Sequence, residues 1–271
     1  MLSDITIGQY FPGDSVVHRM DPRVKLILTF VYIIAVFFPQ NWFGLLLAVG
    51  YLVFSVLCSR LPLRLVWKSI KPIIPLIVIT SALNIFYSDK GVELIHWGFL
   101  KITSGGLITA AFIAIRILCL IAGSSLLTYT TSPTTLTDAL ERILRPLKVI
   151  HINVHELSMM MTIALRFIPT LMEETDKIMS AQKARGADME SGGLMQRVKA
   201  LIPVLIPLFV SSFRRAYELA TAMECRCYHG GDGRTRMKQL HMGRLDVWCL
   251  LSMALLIAAI VTLNFFVPAV V

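Results

Sequence analysis

The chain has 271 residues, of which 56% are hydrophobic and only 16% charged, with a formal net charge of +9. A mean hydropathy of +0.70 excludes an ordinary soluble domain, and several apolar runs are long enough to cross a bilayer. In such a chain a basic excess speaks first of topology and anionic headgroups; the bases are not interleaved with aromatics, which argues against a nucleic-acid partner.

Met1–Arg23 is polar and turn-rich, and Asp21 is placed to cap a helix with Pro22 at its first position. The apolar run Val24–Phe38 follows, with Arg19, Arg23 and Lys25 at its start. No small-residue cleavage site comes after it, so it is expected to be retained rather than removed as a signal peptide. Pro39-Gln40-Asn41 reads as an uncharged turn, Trp42–Cys58 as a second span, and Arg60, Arg64, Lys68 and Lys71 come next. The positive-inside rule puts the N-terminus and this basic loop in the cytoplasm and the Pro39 turn outside.

Pro72–Tyr87 reads as a third span, where Pro72 and Pro75 predict a kink or an irregular entry. Ser88–Ser104 is an external loop, and its alternating Val92, Leu94, His96-Trp97 and Phe99 suggest a short interfacial segment. Gly105–Leu127 is the fourth span and carries Arg116 at mid-depth. An intramembrane arginine is costly and should face protein or water. It is either a substrate or coupling site, or a side chain bonded to helix-end carbonyls or snorkelling to the interface.

Thr130–Thr135 is a turn and capping stretch, followed by a short amphipathic helix over Leu136–Ile150 that Pro146 breaks. Two long helices come next, over about Leu157–Ala187 and Leu194–Tyr228. The first is expected not to span a membrane, because Glu173, Glu174, Asp176 and Lys177 sit in its middle. Its apolar stripe is Leu157, Met161, Ala164, Ile168, Leu171, Thr175 and Ile178; the second carries Ile202, Leu205, Leu208, Ser212, Ala216, Leu219 and Met223. Pro169, Pro203 and Pro207 are expected to bend them. Both are read as cytoplasmic, with more apolar surface than their mutual contact needs, which points to a second membrane protein as partner. The basic segment His229–Arg244 is also read as cytoplasmic, and Val247–Val267 as the last span, which puts the C-terminus outside.

The long helices end in one motif written twice. Ala181-Gln182-Lys183-Ala184-Arg185-Gly186-Ala187 and Ala222-Met223-Glu224-Cys225-Arg226-Cys227-Tyr228 each place an alanine four residues before an arginine. Each sets that arginine between small residues: Ala184 and Gly186, then Cys225 and Cys227. A glycine cap and a dipole-complementing arginine account for one copy. Two copies suggest a paired docking device for a partner with two equivalent grooves, such as a dimer of related subunits.

Catalytic patterns are scarce. No phosphate-binding glycine loop with Lys and Ser/Thr occurs, and no Gly-x-Ser-x-Gly. His151 and His155 have the spacing of metal ligands on a helix, with Glu156 beside them, but the order is not that of a zinc protease and no third ligand is apparent. Cys225, Cys227 and His229 supply only three ligands on one short turn. With Cys58, Cys119 and Cys249 the cysteines number five, an odd and scattered set that argues against a disulfide framework. No cofactor or metal is expected on this chain.

Gly8-Gln9-Tyr10-Phe11-Pro12-Gly13-Asp14-Ser15 and His18-Arg19-Met20-Asp21-Pro22-Arg23 resemble the N-terminus of the transmembrane T component of energy-coupling factor transporters. So do Leu165-Arg166-Phe167-Ile168-Pro169-Thr170 and Pro207–Ala216. The signature of that family is a pair of Ala-Arg-Gly motifs ending two coupling helices; Ala184-Arg185-Gly186 matches fully, whereas Cys225-Arg226-Cys227 keeps only the arginine. The resemblance implies an all-α integral membrane protein with about five transmembrane helices. To these it adds a cytoplasmic coupling domain of one short and two long amphipathic helices, giving a division at 1–130, 131–245 and 246–271. It further implies a non-enzymatic bacterial scaffold joining two ABC ATPase subunits, a heterodimer holding ATP-Mg, to one or more substrate-binding S components for vitamin or micronutrient uptake. Arg185 and Arg226 would each enter an ATPase groove, and Met161, Ile168, Pro169, Leu171, Leu205, Leu208 and Phe209 would meet the S component. The alternatives are a stand-alone permease using Arg116 as an anion site and a membrane enzyme using the His151/His155 region.

Overall fold

A computed structural model describes residues 10–87, 93–97, 100–150, 153–187, 193–230 and 240–267. The first nine residues lie outside that set, as do Val92 and Phe99, His151, most of the basic segment after Gly230, and the C-terminal Val271. The chain divides into two compact units, one of residues 8–139 with 239–271, the other of 140–238 with 1–7.

The first unit is a helical bundle with one hairpin. Ser15 caps a single turn, α1 (Val16–Arg19), by accepting from the His18 amide. Asp21 then accepts the Arg23 amide at 2.9 Å with Pro22 at the first position of α2 (Pro22–Ala35), the start that the Asp-Pro pair signals. α3 is Trp42–Ser59; α4 (Leu63–Ile70) passes through a 3-10 turn, Lys71–Ile73, into α5 (Ile74–Tyr87). That turn at Pro72 is the irregular entry the prolines predict. The expected interfacial segment is an antiparallel hairpin, β1 (Glu93–Trp97) with β2 (Leu100–Thr103), leading into α6 (Ser104–Thr130). The unit closes with α10 (Arg244–Phe266).

Core residues recur at four-residue spacing because that spacing returns a helix to the same face. Val24, Leu28, Tyr32 and Val36 on the α2 side meet Ala48, Leu52 and Val56 of α3, Cys119 and Ala122 of α6, and Met253, Leu256 and Ile260 of α10. At Gly123 the α6 backbone passes the Tyr32 ring so closely that a Cβ would lie 3.0 Å from it. The Tyr32 hydroxyl donates to the Ala48 carbonyl at 3.1 Å, which gives the one polar atom of that ring a partner.

Polar ties fasten α2 to α10 at both ends. At one end Asp246, 3% exposed, accepts the Asp21 amide at 2.9 Å and its own N-cap amide, Gly243, at 2.7 Å. At the other, Asn41 donates to the carbonyls of Leu263 and Val267, and Asn264 donates to that of Phe38. Arg116 belongs to this second layer. Its guanidinium donates to the Pro39 carbonyl at 3.1 Å and stands 5.6 Å from the ring centres of Phe37 and Phe112. Of the two readings open in the sequence, the carbonyl-bonded one describes its position.

Helix α7 (Pro133–Leu144) starts earlier than expected, and its 3-10 continuation Arg145–Ile150 contains the predicted break at Pro146. The second unit consists chiefly of α8 (Val154–Ala184) and α9 (Leu194–Cys225), each helical through its prolines.

Among the described residues, five stretches are long and apolar enough to cross a membrane, as the composition implied, but their membership differs from the expected set. They are Trp42–Ser59, Leu63–Ile85, Ser104–Thr130, Met195–Cys225 and Arg244–Phe266. The expected first span ends at Ala35 and yields a helix of 14 residues, about 21 Å, short of a hydrocarbon core. Helix α9, expected to lie outside the bilayer, qualifies instead, because Leu201–Val210 contains no charge.

Candidate functional site: the paired helix ends

α8 and α9 pack antiparallel. Gln182 donates to the Pro203 carbonyl at 3.4 Å, and Ser211 donates to Glu174, so eight residues back along α8 match eight forward along α9. Arg215 reaches the other oxygen of Glu174 at 3.1 Å while its guanidinium lies 5.9 Å from the Phe167 ring centre. Glu174 thus uses both oxygens to hold α9. Leu171, Thr175 and Ile178 on α8 are half-buried, as are Leu208, Ser212, Leu219 and Met223 on α9.

Each helix ends in the same turn. Arg185 is the C-cap of α8; the Gly186 amide donates to the Lys183 carbonyl at 3.0 Å and the Ala187 amide to Gln182 at 3.0 Å. Arg226 is the C-cap of α9; the Cys227 amide donates to Glu224 at 2.9 Å and the Tyr228 amide to Met223 at 3.1 Å. This is the Schellman pattern, which needs a left-handed residue after the cap. Gly186 supplies it at φ +87°, and Cys227 adopts it at φ +53° despite its side chain. The Cys-Arg-Cys end therefore has the backbone course of the Ala-Arg-Gly end, at a steric cost of about 1–2 kcal/mol. Replacing Cys227 by glycine is expected to stabilise the protein by about 1 kcal/mol. Thermal unfolding in detergent checks this, and an unchanged or lower midpoint would remove the strain argument.

All six motif residues, Ala184, Arg185, Gly186, Cys225, Arg226 and Cys227, are exposed. The second candidate set is split. Met161, Pro169, Leu205 and Phe209 are exposed, the last at 61%, whereas Ile168, Leu171 and Leu208 are half-buried. Exposed Ile202, Ile206, Val210, Phe213 and Tyr217 extend this apolar surface on α9. Ile202 belongs to the stripe read from the sequence; Ile206, Val210, Phe213 and Tyr217 lie off it because α9 is apolar round more of its circumference than a stripe describes.

His155 is hydrogen-bonded to Glu141 at 3.0 Å, and its former companion His151 lies outside the described residues. Among the described residues no three His, Cys, Asp or Glu side chains converge as metal ligands would. The five cysteines are free thiols.

The model of the cobalt transport protein family matches residues 13–238. An energy-coupling factor transporter transmembrane protein of Clostridium kluyveri is 55% identical over 247 residues, covering 91% of this chain and 92% of that one. Its counterpart in Acidaminococcus fermentans is 48% identical over 269 residues, 99% of this chain and 100% of the other. That of Bacillus subtilis is 46% identical over 258 residues, 95% and 97% respectively. Matches of this length take in the bundle and the paired helix ends alike, and the chain belongs to the cobalt transport protein family as a transmembrane component of energy-coupling factor transporters.

Proposed function

We propose that this protein is the membrane scaffold through which two cytosolic ABC ATPase subunits drive vitamin or micronutrient uptake by an S component. Arg185 and Arg226 each enter a groove on one ATPase, and the exposed face around Met161, Pro169, Leu205 and Phe209 holds the S component. ATP and Mg bind in the partner subunits, and this chain performs no catalysis of its own. The protein sits in the bacterial cell membrane, with the arginine ends in the cytoplasm.

The observation that carries this reading is the repetition of one exposed turn at two helix ends, down to the left-handed Cys227. Dipole complementation accounts for an arginine at one helix end; the same turn with an exposed arginine at two helix ends supports a paired docking role. The apolar surface of α9 supports the second partner, since a helix of that composition is stable where protein or lipid covers it.

Gentle detergent purification from native membranes, with mass spectrometry of what accompanies the chain, tests the assembly. Two related ATPases in equal amount with one or more small hydrophobic proteins are expected. A chain that comes out alone under repeatedly mild conditions would overturn the docking assignment.

A further inference from the structure

The bundle of residues 8–139 and 239–271 contains a cavity of about 340 Å³, within the range of small-molecule pockets. Its walls come from α1, α2, α3, α6 and α10 and are apolar for the most part; Leu28, Tyr32, Leu52, Phe54, Leu126 and Trp248 are among them. It extends from Lys25 to the level of Tyr32, two helical turns or about 10 Å deeper.

Lys25 lines it and is only 6% exposed. Its ammonium has three donors. Two are used, on the carbonyls of His18 at 3.2 Å and Thr130 at 3.0 Å. No carboxylate among the described residues lies within ion-pair distance of Lys25. Asp246 attracts Lys25 only from beyond that distance, its oxygens being committed to the amides of Asp21 and Gly243, and Asp21 is bonded to Arg23. A buried charge is costly unless something of opposite sign meets it. Here a cation with a donor to spare stands at one end of an apolar chamber.

The location selects the counter-ion. This is the end of the bundle where α2 and α10 begin and α3 and α6 finish, and Arg19, Arg23, Arg60, Arg64 and Arg244 gather at those helix ends. Basic residues so placed attract anionic headgroups. We infer that the cavity is a binding site for one anionic phospholipid, with its phosphate on the spare donor of Lys25 and one acyl chain running between α2, α3 and α10. The occupant has to be amphiphilic: an inorganic anion would leave the apolar walls empty, and a zwitterionic lipid would bring no net charge to Lys25. This site is separate from the arginine ends and does not depend on the role given to them.

Trp248 lines the cavity and reports its occupancy. The full chain is reconstituted in phosphatidylcholine vesicles containing increasing fractions of brominated phosphatidylglycerol or, in parallel, brominated phosphatidylcholine. The Trp248 signal is the fluorescence lost on Trp248→Phe. Half-maximal quenching is expected at about a five- to tenfold lower mole fraction of phosphatidylglycerol, a preference that Lys25→Gln abolishes. Equal quenching by the two lipids overturns the proposal. A brominated fatty acid that quenches at still lower fractions, and is not displaced by phosphatidylglycerol, overturns the phospholipid assignment in favour of a free carboxylate. If Lys25→Gln does not yield monodisperse protein, Ser55→Phe decides. It fills the chamber and keeps the charge, so the selective quenching is expected to vanish, and its survival sinks the site.

Discussion

Reversing both arginines, Arg185→Glu with Arg226→Glu, is expected to abolish uptake and ATPase co-purification while leaving membrane insertion and helix content unchanged. Both side chains are exposed, and the turns that present them are closed by backbone hydrogen bonds that any residue at the cap can make. The cost to folding is confined to an acidic group near a helix C-terminus, about 0.3–1 kcal/mol at each end. Docking is affected far more. Truncating one partner of a desolvated charge pair costs about 2–5 kcal/mol, and a charge of the wrong sign adds repulsion to that loss. Each single variant is expected to be intermediate, because one engaged end keeps the other at high effective concentration. Affinity capture followed by an uptake assay reads both quantities. Normal uptake by the double variant would end the docking role of these residues.

Asp246→Ala is expected to produce the largest loss of stability from a change outside the core stripe, about 3 kcal/mol. The carboxylate accepts two backbone amides, one from the start of α2 and one from the start of its own helix. Removing it leaves the Asp21 amide buried without an acceptor, at about 1–3 kcal/mol, and removes the N-cap contact of α10, worth about 1 kcal/mol. Asp246→Asn keeps an acceptor and should cost roughly half as much. Denaturation midpoints of the three proteins in one detergent provide the comparison. An alanine variant within about 0.5 kcal/mol of the parent would mean that the two helix ends are held by packing alone.

Much of this architecture is visible in the sequence because its signals are local. The Asp21-Pro22 start of α2, the break at Pro146 and the repeated helix ends are each decided within a few residues. What escaped depends on distant parts of the chain. The alternation before Thr103 is that of a strand, but pairing β1 with β2 is a tertiary event. The fate of Arg116 was open because its acceptor, the Pro39 carbonyl, is 77 residues away in the chain. A cysteine gives no hint of left-handed backbone, so the equivalence of the second turn to the first became apparent only from its φ angle. The charges in the middle of α8 argue from sequence against its spanning a membrane, and one of them, Glu174, holds α9 through both carboxylate oxygens.

That ion pair has a geometric consequence. Arg185 and Arg226 are separated by 41 residues, and so are Glu174 and Arg215. In two antiparallel helices, the half-rotation that brings one arginine end onto the other also brings Glu174 onto Arg215, so the contact between them lies close to the axis of a local twofold. A surface with such an axis looks alike from either end and suits a partner with the same symmetry. If the partner is a dimer of unequal subunits, the residues that break the twofold must tell its two sides apart. At the helix ends those include Lys183 against Glu224, a reversal of charge, and Ala184 and Gly186 against the thiols of Cys225 and Cys227.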